Sequence, residues 1–107
     1  MNPTLDDFKK FEFRIAEILT AVPHPNADRL VLLRVKIGDR EKQVVAGIRA
    51  HYLPETLVGK KVVVIDNLEP AVIRGETSEG MILAASDDVT LTLVVPEKDI
   101  ASGAKVK

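Results

Sequence analysis

From Val31 to Ile37 the odd positions Val31, Leu33, Val35 and Ile37 are all apolar, and the even positions end in Arg34 and Lys36. A strict period of two predicts a strand with one buried face, because a helix would scatter the same residues around its circumference. The odd face packs inward and Arg34 and Lys36 share the outer face. The rest of the chain repeats this theme in short apolar segments, rich in β-branched residues and punctuated by Gly, Pro and Asp. Phe13–Val22 reads as a long first strand whose apolar phase slips from Phe13 and Ile15 to Ala16 and Ile18. Such a slip predicts a bulge, which lets a long strand curl. Gly38-Asp39-Arg40 is a tight hairpin turn into Glu41–Ala46. Lys61–Ile65, apolar from Val62 onward, is expected as a strand buried on both faces. Arg49–Val58 interrupts the strands with a short helical turn that Pro54 begins and Gly59 ends. Leu68–Arg74 is an extended link containing Pro70, Gly80–Ala85 a fifth strand, and Val89 to Val95 a sixth.

The 107 residues amount to one domain, 1–107. With 46% hydrophobic and 29% charged residues the chain is an ordinary globular one. There is no cysteine, hence no disulfide, thiol chemistry or Cys-based metal site. No apolar run approaches the roughly 20 residues of a membrane span. The first residues, Met1 to Asp7, lack the basic start and apolar stretch of a signal peptide. The expectation is a cytoplasmic protein with no membrane partner. The net charge of −1 argues against a generic nucleic-acid binder. Between Arg29 and Arg49, however, six basic residues (Arg29, Arg34, Lys36, Arg40, Lys42, Arg49) face only Asp39 and Glu41, a local +4 that leaves −5 elsewhere. A basic stripe on a neutral body suits a positioned contact with phosphate, and it suits equally a solvated strand face. Catalysis has no support. His24 stands between two prolines in a segment that cannot be helical, and His51 has no evident acid or nucleophile partner. Phosphate loops, dinucleotide-binding glycines and nucleophile elbows are absent, and no cofactor or metal is expected.

Between the first two strands lies Pro23-His24-Pro25-Asn26-Ala27-Asp28-Arg29-Leu30, an ordered polar loop in which Pro23 and Pro25 fix φ and Asn26 and Asp28 favour turns. About fifty residues later Thr77-Ser78-Glu79-Gly80-Met81 opens another strand. With Val44-Val45-Ala46-Gly47-Ile48, Leu57-Val58-Gly59-Lys60-Lys61-Val62 and Asn67-Leu68-Glu69-Pro70, these segments resemble the tRNA-binding OB-fold domain of methionyl-tRNA synthetases and the free-standing tRNA-binding proteins related to it. The resemblance implies an all-β fold: a five-stranded OB barrel over about residues 11–86, a short helix between strands 3 and 4, and a C-terminal extension over about 87–107. It implies no catalytic activity in the domain itself, the synthetase's ATP-binding signatures and zinc cysteines being absent. The partners implied are tRNA, a second copy of the chain, and the catalytic part of methionyl-tRNA synthetase in the same or a separate chain.

The resemblance places the tRNA surface on the open face of the barrel and its loops: His24, Asn26, Arg34, Lys36, Lys42, Asn67, Arg74, Ser78 and Met81. The chemistry suits each role. Lys and Arg neutralise phosphates, Asn and Ser donate to phosphate or to the ribose 2′-hydroxyl, and an exposed Met packs flexibly on a sugar or base. Ser78 reads equally as a turn-shaping residue and Met81 as core. Pro23, Pro25 and Asp28 shape the loop, since a carboxylate beside phosphate is unfavourable. Aromatic residues are only 4% of the chain. That argues against stacking on unpaired bases and for recognition of shape and backbone without sequence preference. Val89, Leu91, Leu93 and Val95, beyond the five strands a barrel needs, must bury a face. The resemblance makes them a homodimer seam; the alternative is that they fold back on their own barrel. Two other functions stay open, a dimeric scaffold of a synthetase complex and a chaperone on the same barrel.

Overall fold

The computed structural model describes residues 1–107. A short helix α1 (Leu5–Lys9) opens the chain, its first turn closed by a capping box between Thr4 and Asp7. Strands β1 (Phe13–Pro23), β2 (Val31–Ile37), β3 (Arg40–Ala46) and β4 (Lys61–Ile65) follow. The remaining strands are short: β5 (Ala71–Ile73), β6 (Glu76–Ser78), β7 (Met81–Ile82), β8 (Ala84–Ser86), β9 (Leu91–Leu93) and β10 (Lys105–Val106). The main sheet runs β3-β2-β1-β4-β7, with β10 added to β1, and every pairing is antiparallel. No helix is long and apolar enough to cross a membrane.

The long first strand makes the curl. Its first half, Phe13–Glu17, pairs with β4, and its second half, Glu17–Pro23, pairs with β2. Between Ile18 and Thr20 the register slips by one residue. This bulge lies just past the phase slip at Ala16 and Ile18. It turns the sheet into an OB-like half-barrel around Ile18, Leu33, Val35, Val44, Val62 and Val64, all but sealed from solvent. As the alternation of β2 requires, Val31, Leu33, Val35 and Ile37 are buried and Arg34 and Lys36 exposed. In the two-residue turn to β3, Gly38 holds φ 65, where a Cβ is strained.

Between β3 and β4 the expected helix shrinks to a 3-10 turn, Pro54–Thr56. Leu57 directly after it is wholly buried in the core, and the Gly59 N–H already donates to the Ile18 carbonyl at 2.8 Å. Strand pairing thus resumes before an α-turn can close. Two other segments differ from expectation. Ala71–Ile73, expected as a plain link, is one arm of a hairpin with β6, turning at Arg74 (φ 53) and Gly75 (φ 91). The expected fifth strand, Gly80–Ala85, breaks at Leu83 into β7 and β8. There the chain leaves β4 and takes β9 as its partner.

The sheet closes on itself along a seam made by the Ser78-Glu79-Gly80 segment. Glu79 N–H donates to the Gln43 carbonyl at 2.8 Å, a backbone rung. Two side chains supply the other rungs. Ser78 Oγ accepts from Val45 N–H at 3.0 Å, and Glu79 Oε1 accepts from Gln43 N–H at 3.0 Å. Gly80 is needed because a Cβ there would meet the Ile65 carbonyl oxygen at 3.0 Å. Beyond β9 the chain returns to its own barrel. Ser102 Oγ accepts from Gly38 N–H and donates to the Lys36 carbonyl, and β10 pairs with the start of β1. Leu93 joins the core and Leu91 packs against it, whereas Val89 and Val95 stay exposed.

Candidate nucleic-acid interface

Two loops that are far apart in sequence meet at one end of the barrel. The first is the loop between β1 and β2, closed on itself by His24 N–H donating to the Leu30 carbonyl at 3.0 Å. The second is the tip of the β5–β6 hairpin. An Arg74 Nη2 N–H donates to the Asn26 carbonyl at 3.0 Å, and His24 Nε2 lies 3.0 Å from the Ile73 carbonyl oxygen. Between them opens a cleft of about 390 Å³ lined by Asn26, Ala27, Asp28, Arg29, Leu30 and Arg74. Arg49 is brought alongside by its own N–H, which donates to the Arg29 carbonyl at 3.2 Å. Arg29, Arg49 and Arg74 have no carboxylate partner. Two guanidinium groups without an ion-pair partner, Arg29 and Arg74, therefore line one cleft together with Asp28, and the Arg49 backbone adjoins it.

The basic stripe of the sequence does not act as a unit. Arg34 pairs with Glu41 across the hairpin at 3.2 Å. Arg40 and Lys42 both converge on the carboxylate of Asp66, which is only 6% exposed. Lys42 Nζ also donates to the carbonyl oxygens of Asp66 and Glu79. Burial alone would raise the Asp66 carboxyl, but the hydrogen bonds from Arg40 and Lys42 outweigh it and hold it below the usual carboxylate range. Lys36 is exposed and unpaired but lies toward the opposite end of β2, roughly 20 Å from the cleft at the rise of an extended strand.

Several of the expected contact residues are used inside the fold. His24 is 4% exposed with both ring nitrogens engaged. Ser78, 5% exposed, accepts from Val45 and donates to the Gly80 carbonyl. Asn67 pins the N-terminal segment at the far side, accepting from Glu12 N–H and donating to the Lys10 carbonyl. Lys42 is held by Asp66. Pro23 and Pro25 flank the buried imidazole, and Asp28 makes no hydrogen bond, so the loop is tied by His24 rather than by its carboxylate. The structure does bring Asn26 and Arg74 together. Met81 is half exposed and lies in an apolar groove with Val45, Ala46, Gly47, Ile48 and Leu91. That groove borders the cleft, because Gly47 sits against Leu30. Arg29 and Arg49 were visible in the sequence only as members of the stripe, and nothing local separates them from Arg40 and Lys42, whose partner Asp66 lies more than twenty residues away. No group of three or more His, Cys, Asp or Glu side chains lies together as a metal site would.

Residues 13–105 match the family model described as "Putative tRNA binding domain". The chain belongs to this tRNA-binding domain family. Among curated relatives in the family's neighbourhood, methionine–tRNA ligase of Deinococcus radiodurans is 51% identical over 105 residues, 97% of this chain and 15% of the relative. The corresponding enzyme of Thermococcus kodakarensis is 43% identical over 104 residues, 97% of this chain and 14% of the relative. The chain thus spans about 15% of the length of these relatives. A solved structure of a MetRS-related protein from Pyrococcus horikoshii superposes with a TM-score of 0.93 at 30% identity, covering 100% of this chain and 99% of that one. A structure titled chaperone CsaA from Bacillus anthracis superposes at 0.90 with 26% identity and full coverage of both chains.

Proposed function

We propose that this domain binds folded tRNA through phosphate and shape, without base-specific readout, as the appended tRNA-binding and homodimerising module of a cytoplasmic methionyl-tRNA synthetase. The observation that carries this is the cleft lined by Arg29 and Arg74, neither of them ion-paired, with Asp28 the one carboxylate in its lining. A planar guanidinium fork matches phosphate oxygens and is weakly hydrated, so it gives up water at low cost. The aromatic rings lie elsewhere: Phe8, Phe11 and Phe13 cluster at the N-terminal segment, and the Tyr52 hydroxyl accepts from Leu93 N–H. Without a stacking platform at the cleft, unpaired bases have nothing to lie on, which favours a folded RNA gripped by its backbone. Met81, in the bordering groove, supplies apolar contact to a sugar or base edge, and Lys36 adds an unpaired cation further along β2, beside Arg34, whose charge Glu41 offsets.

Within residues 1–107 the barrel, about 11–86, carries RNA binding and the extension, about 87–107, contributes to dimerisation. Since Leu91 and Leu93 serve the chain's own core, the surface for a second copy centres on exposed Val89 and Val95. Leu5, Phe8 and Phe11, which with Val106 form the apolar part of a cleft of about 450 Å³ rimmed by Lys9, Glu12, Lys105 and Lys107, offer further area. Tethering tRNA next to a catalytic part raises its effective concentration there.

The test is equilibrium binding of the purified chain to folded tRNA and to unstructured RNA of equal length at two salt concentrations, with the mass followed by sedimentation. Preference for folded tRNA that weakens steeply with salt supports the reading. Equal or absent binding by a dimer leaves a scaffold, and a monomer at micromolar concentration removes the dimer. The likeness to a protein titled chaperone favours a second reading, peptide holding on the same barrel. Suppression of aggregation of an unfolded protein, blocked by tRNA, would support it.

A further inference from the structure

The two walls of the cleft are joined through one buried imidazole. His24 Nδ1 faces the Asn26 N–H at 2.9 Å. An amide N–H only donates, so Nδ1 is the bare, accepting nitrogen. Nε2 faces the Ile73 carbonyl at 3.0 Å, and a carbonyl only accepts, so Nε2 carries the hydrogen. A single neutral tautomer satisfies both partners. The first bond shapes the loop; the second crosses to a hairpin 49 residues further along the chain.

The hairpin residue after Ile73 is Arg74, which holds φ 53, a left-handed conformation that a residue with a Cβ adopts only when its surroundings impose it. From there its guanidinium returns to the Asn26 carbonyl at 3.0 Å. Asn26 is therefore held at both backbone groups, its N–H by His24 and its C=O by Arg74. The circle from His24 through Ile73 and Arg74 to Asn26 and back closes without a break. Gly75 completes the turn at φ 91, a backbone conformation that residues with a Cβ rarely adopt.

We infer that His24 is a positioning residue for phosphate recognition: through its Nε2–H it ties the hairpin tip to the loop and holds the Arg74 guanidinium beside Arg29, in place for an RNA phosphodiester. This rests on the tRNA-binding reading. His24 is buried, contributes no contact to the RNA, and acts through Arg74. An arginine free in solvent loses much rotamer freedom on binding, and one already held by the clasp loses less. The strained turn and the buried imidazole thereby serve one end, a guanidinium fixed before the ligand arrives.

Two near-isosteric variants separate the two bonds. His24→Gln keeps a donor near the Nε2 position and loses the acceptor for Asn26. His24→Asn keeps the acceptor and loses the reach to Ile73. Binding to folded tRNA is measured for the full chain carrying each, with and without Arg74→Ala. His24→Asn is expected to weaken binding about tenfold, His24→Gln distinctly less, and Arg74→Ala to abolish the difference, so that His24→Asn costs less than about twofold in that background. Losses that add independently overturn the inference, as does a His24→Gln variant weaker than His24→Asn. A second readout needs neither RNA nor variant: imidazole nitrogen-15 shifts of the free wild-type protein should report Nε2–H with a bare Nδ1. The Nδ1–H form, or an averaged ring, overturns the clasp whatever the RNA does. A wild-type chain that does not bind folded tRNA overturns the tRNA reading and this inference with it; one that binds with additive losses overturns this inference alone.

Discussion

Replacing Ser78 by Ala decides whether the Thr77–Met81 motif touches RNA or closes the barrel. The hydroxyl is 5% exposed at the residue level and is used twice, accepting from Val45 N–H at 3.0 Å and donating to the Gly80 carbonyl at 2.9 Å. Losing the donated bond costs about 1 kcal/mol, and leaving a half-buried amide without its acceptor costs about 1–2 more. The expected destabilisation is thus about 2–3 kcal/mol. A chain of 107 residues unfolds with an entropy near 0.2 kcal/mol per kelvin at roughly 2 cal/mol/K per residue, so Tm should fall by about 10–15 °C. The assay is thermal unfolding followed by circular dichroism, paired with tRNA binding at a temperature where both proteins are folded. The slope of log affinity against log salt should be unchanged, because no phosphate contact has been removed. A variant that melts within about 2 °C of wild type yet loses tRNA affinity would refute the reasoning and return Ser78 to the RNA surface.

The cations should sort by place and not by stripe. Arg29→Ala and Arg49→Ala should each lower the magnitude of the salt slope by about 0.7–0.9, whereas Lys36→Ala, at the other end of β2, should change it by less than half as much; equal slopes for all three would count against the cleft. Asp66→Asn should destabilise the fold by about 2 kcal/mol, less than a fully buried pair would lose because Arg40 is half exposed. Because the Asp66 carboxyl is held below its ordinary value in the folded state, its contribution is present above about pH 4 and is lost as pH falls through the folded value; denaturant titrations at pH 7 and pH 3 should find the wild-type advantage over Asp66→Asn shrinking in acid. Gly103→Ala should cost more than Gly59→Ala, about 3 against about 1 kcal/mol by denaturant midpoint. Both have φ near +90, but a Cβ at Gly103 meets Gly38 backbone at 2.9 Å while one at Gly59 meets nothing within 4 Å.

The strands with a strict pattern were legible in the sequence, because burial on one or both faces writes itself into period and composition. β2 reads directly from Val31, Leu33, Val35 and Ile37, and β4 from its unbroken apolar run. The β5–β6 hairpin was not legible. Its arms are three residues each and largely exposed, so no alternation marks them, and its turn is made by Arg74, a residue type that seldom adopts positive φ. The helical turn expected before β4 is present and begins at Pro54, but as a single 3-10 turn, for a different reason. Pro54 and Gly59 do punctuate the segment, but they say nothing about Leu57 having to reach the core within three residues of Pro54.

The site was legible as motifs, while the structure engages two of their polar residues, His24 and Ser78, inside the fold. Pro-His-Pro-Asn-Ala-Asp and Thr-Ser-Glu-Gly-Met stand out because polar residues appear where strands would be apolar. A polar side chain in such a place either faces a ligand or satisfies a buried partner, and sequence alone does not distinguish the two. Here His24 and Ser78 satisfy backbone groups that closure of the barrel leaves over, and every buried side-chain nitrogen and oxygen in the chain has a partner. On the proposed reading the groups left to meet a ligand stand beside the motifs: Arg29, trailing the first motif; Arg74, three residues before the second; and Arg49, whose N–H donates to the Arg29 carbonyl. A loop meant to grip a polyanion by shape needs its cations fixed, and fixing a long flexible side chain takes buried polar groups behind it. On this reasoning substitution within the motifs should show first in stability and in the geometry of the loops, and substitution of the flanking arginines first in salt-dependent affinity. A chain in which both classes of variant lost affinity with the same salt slope and the same Tm would show that the division between scaffold and contact is false.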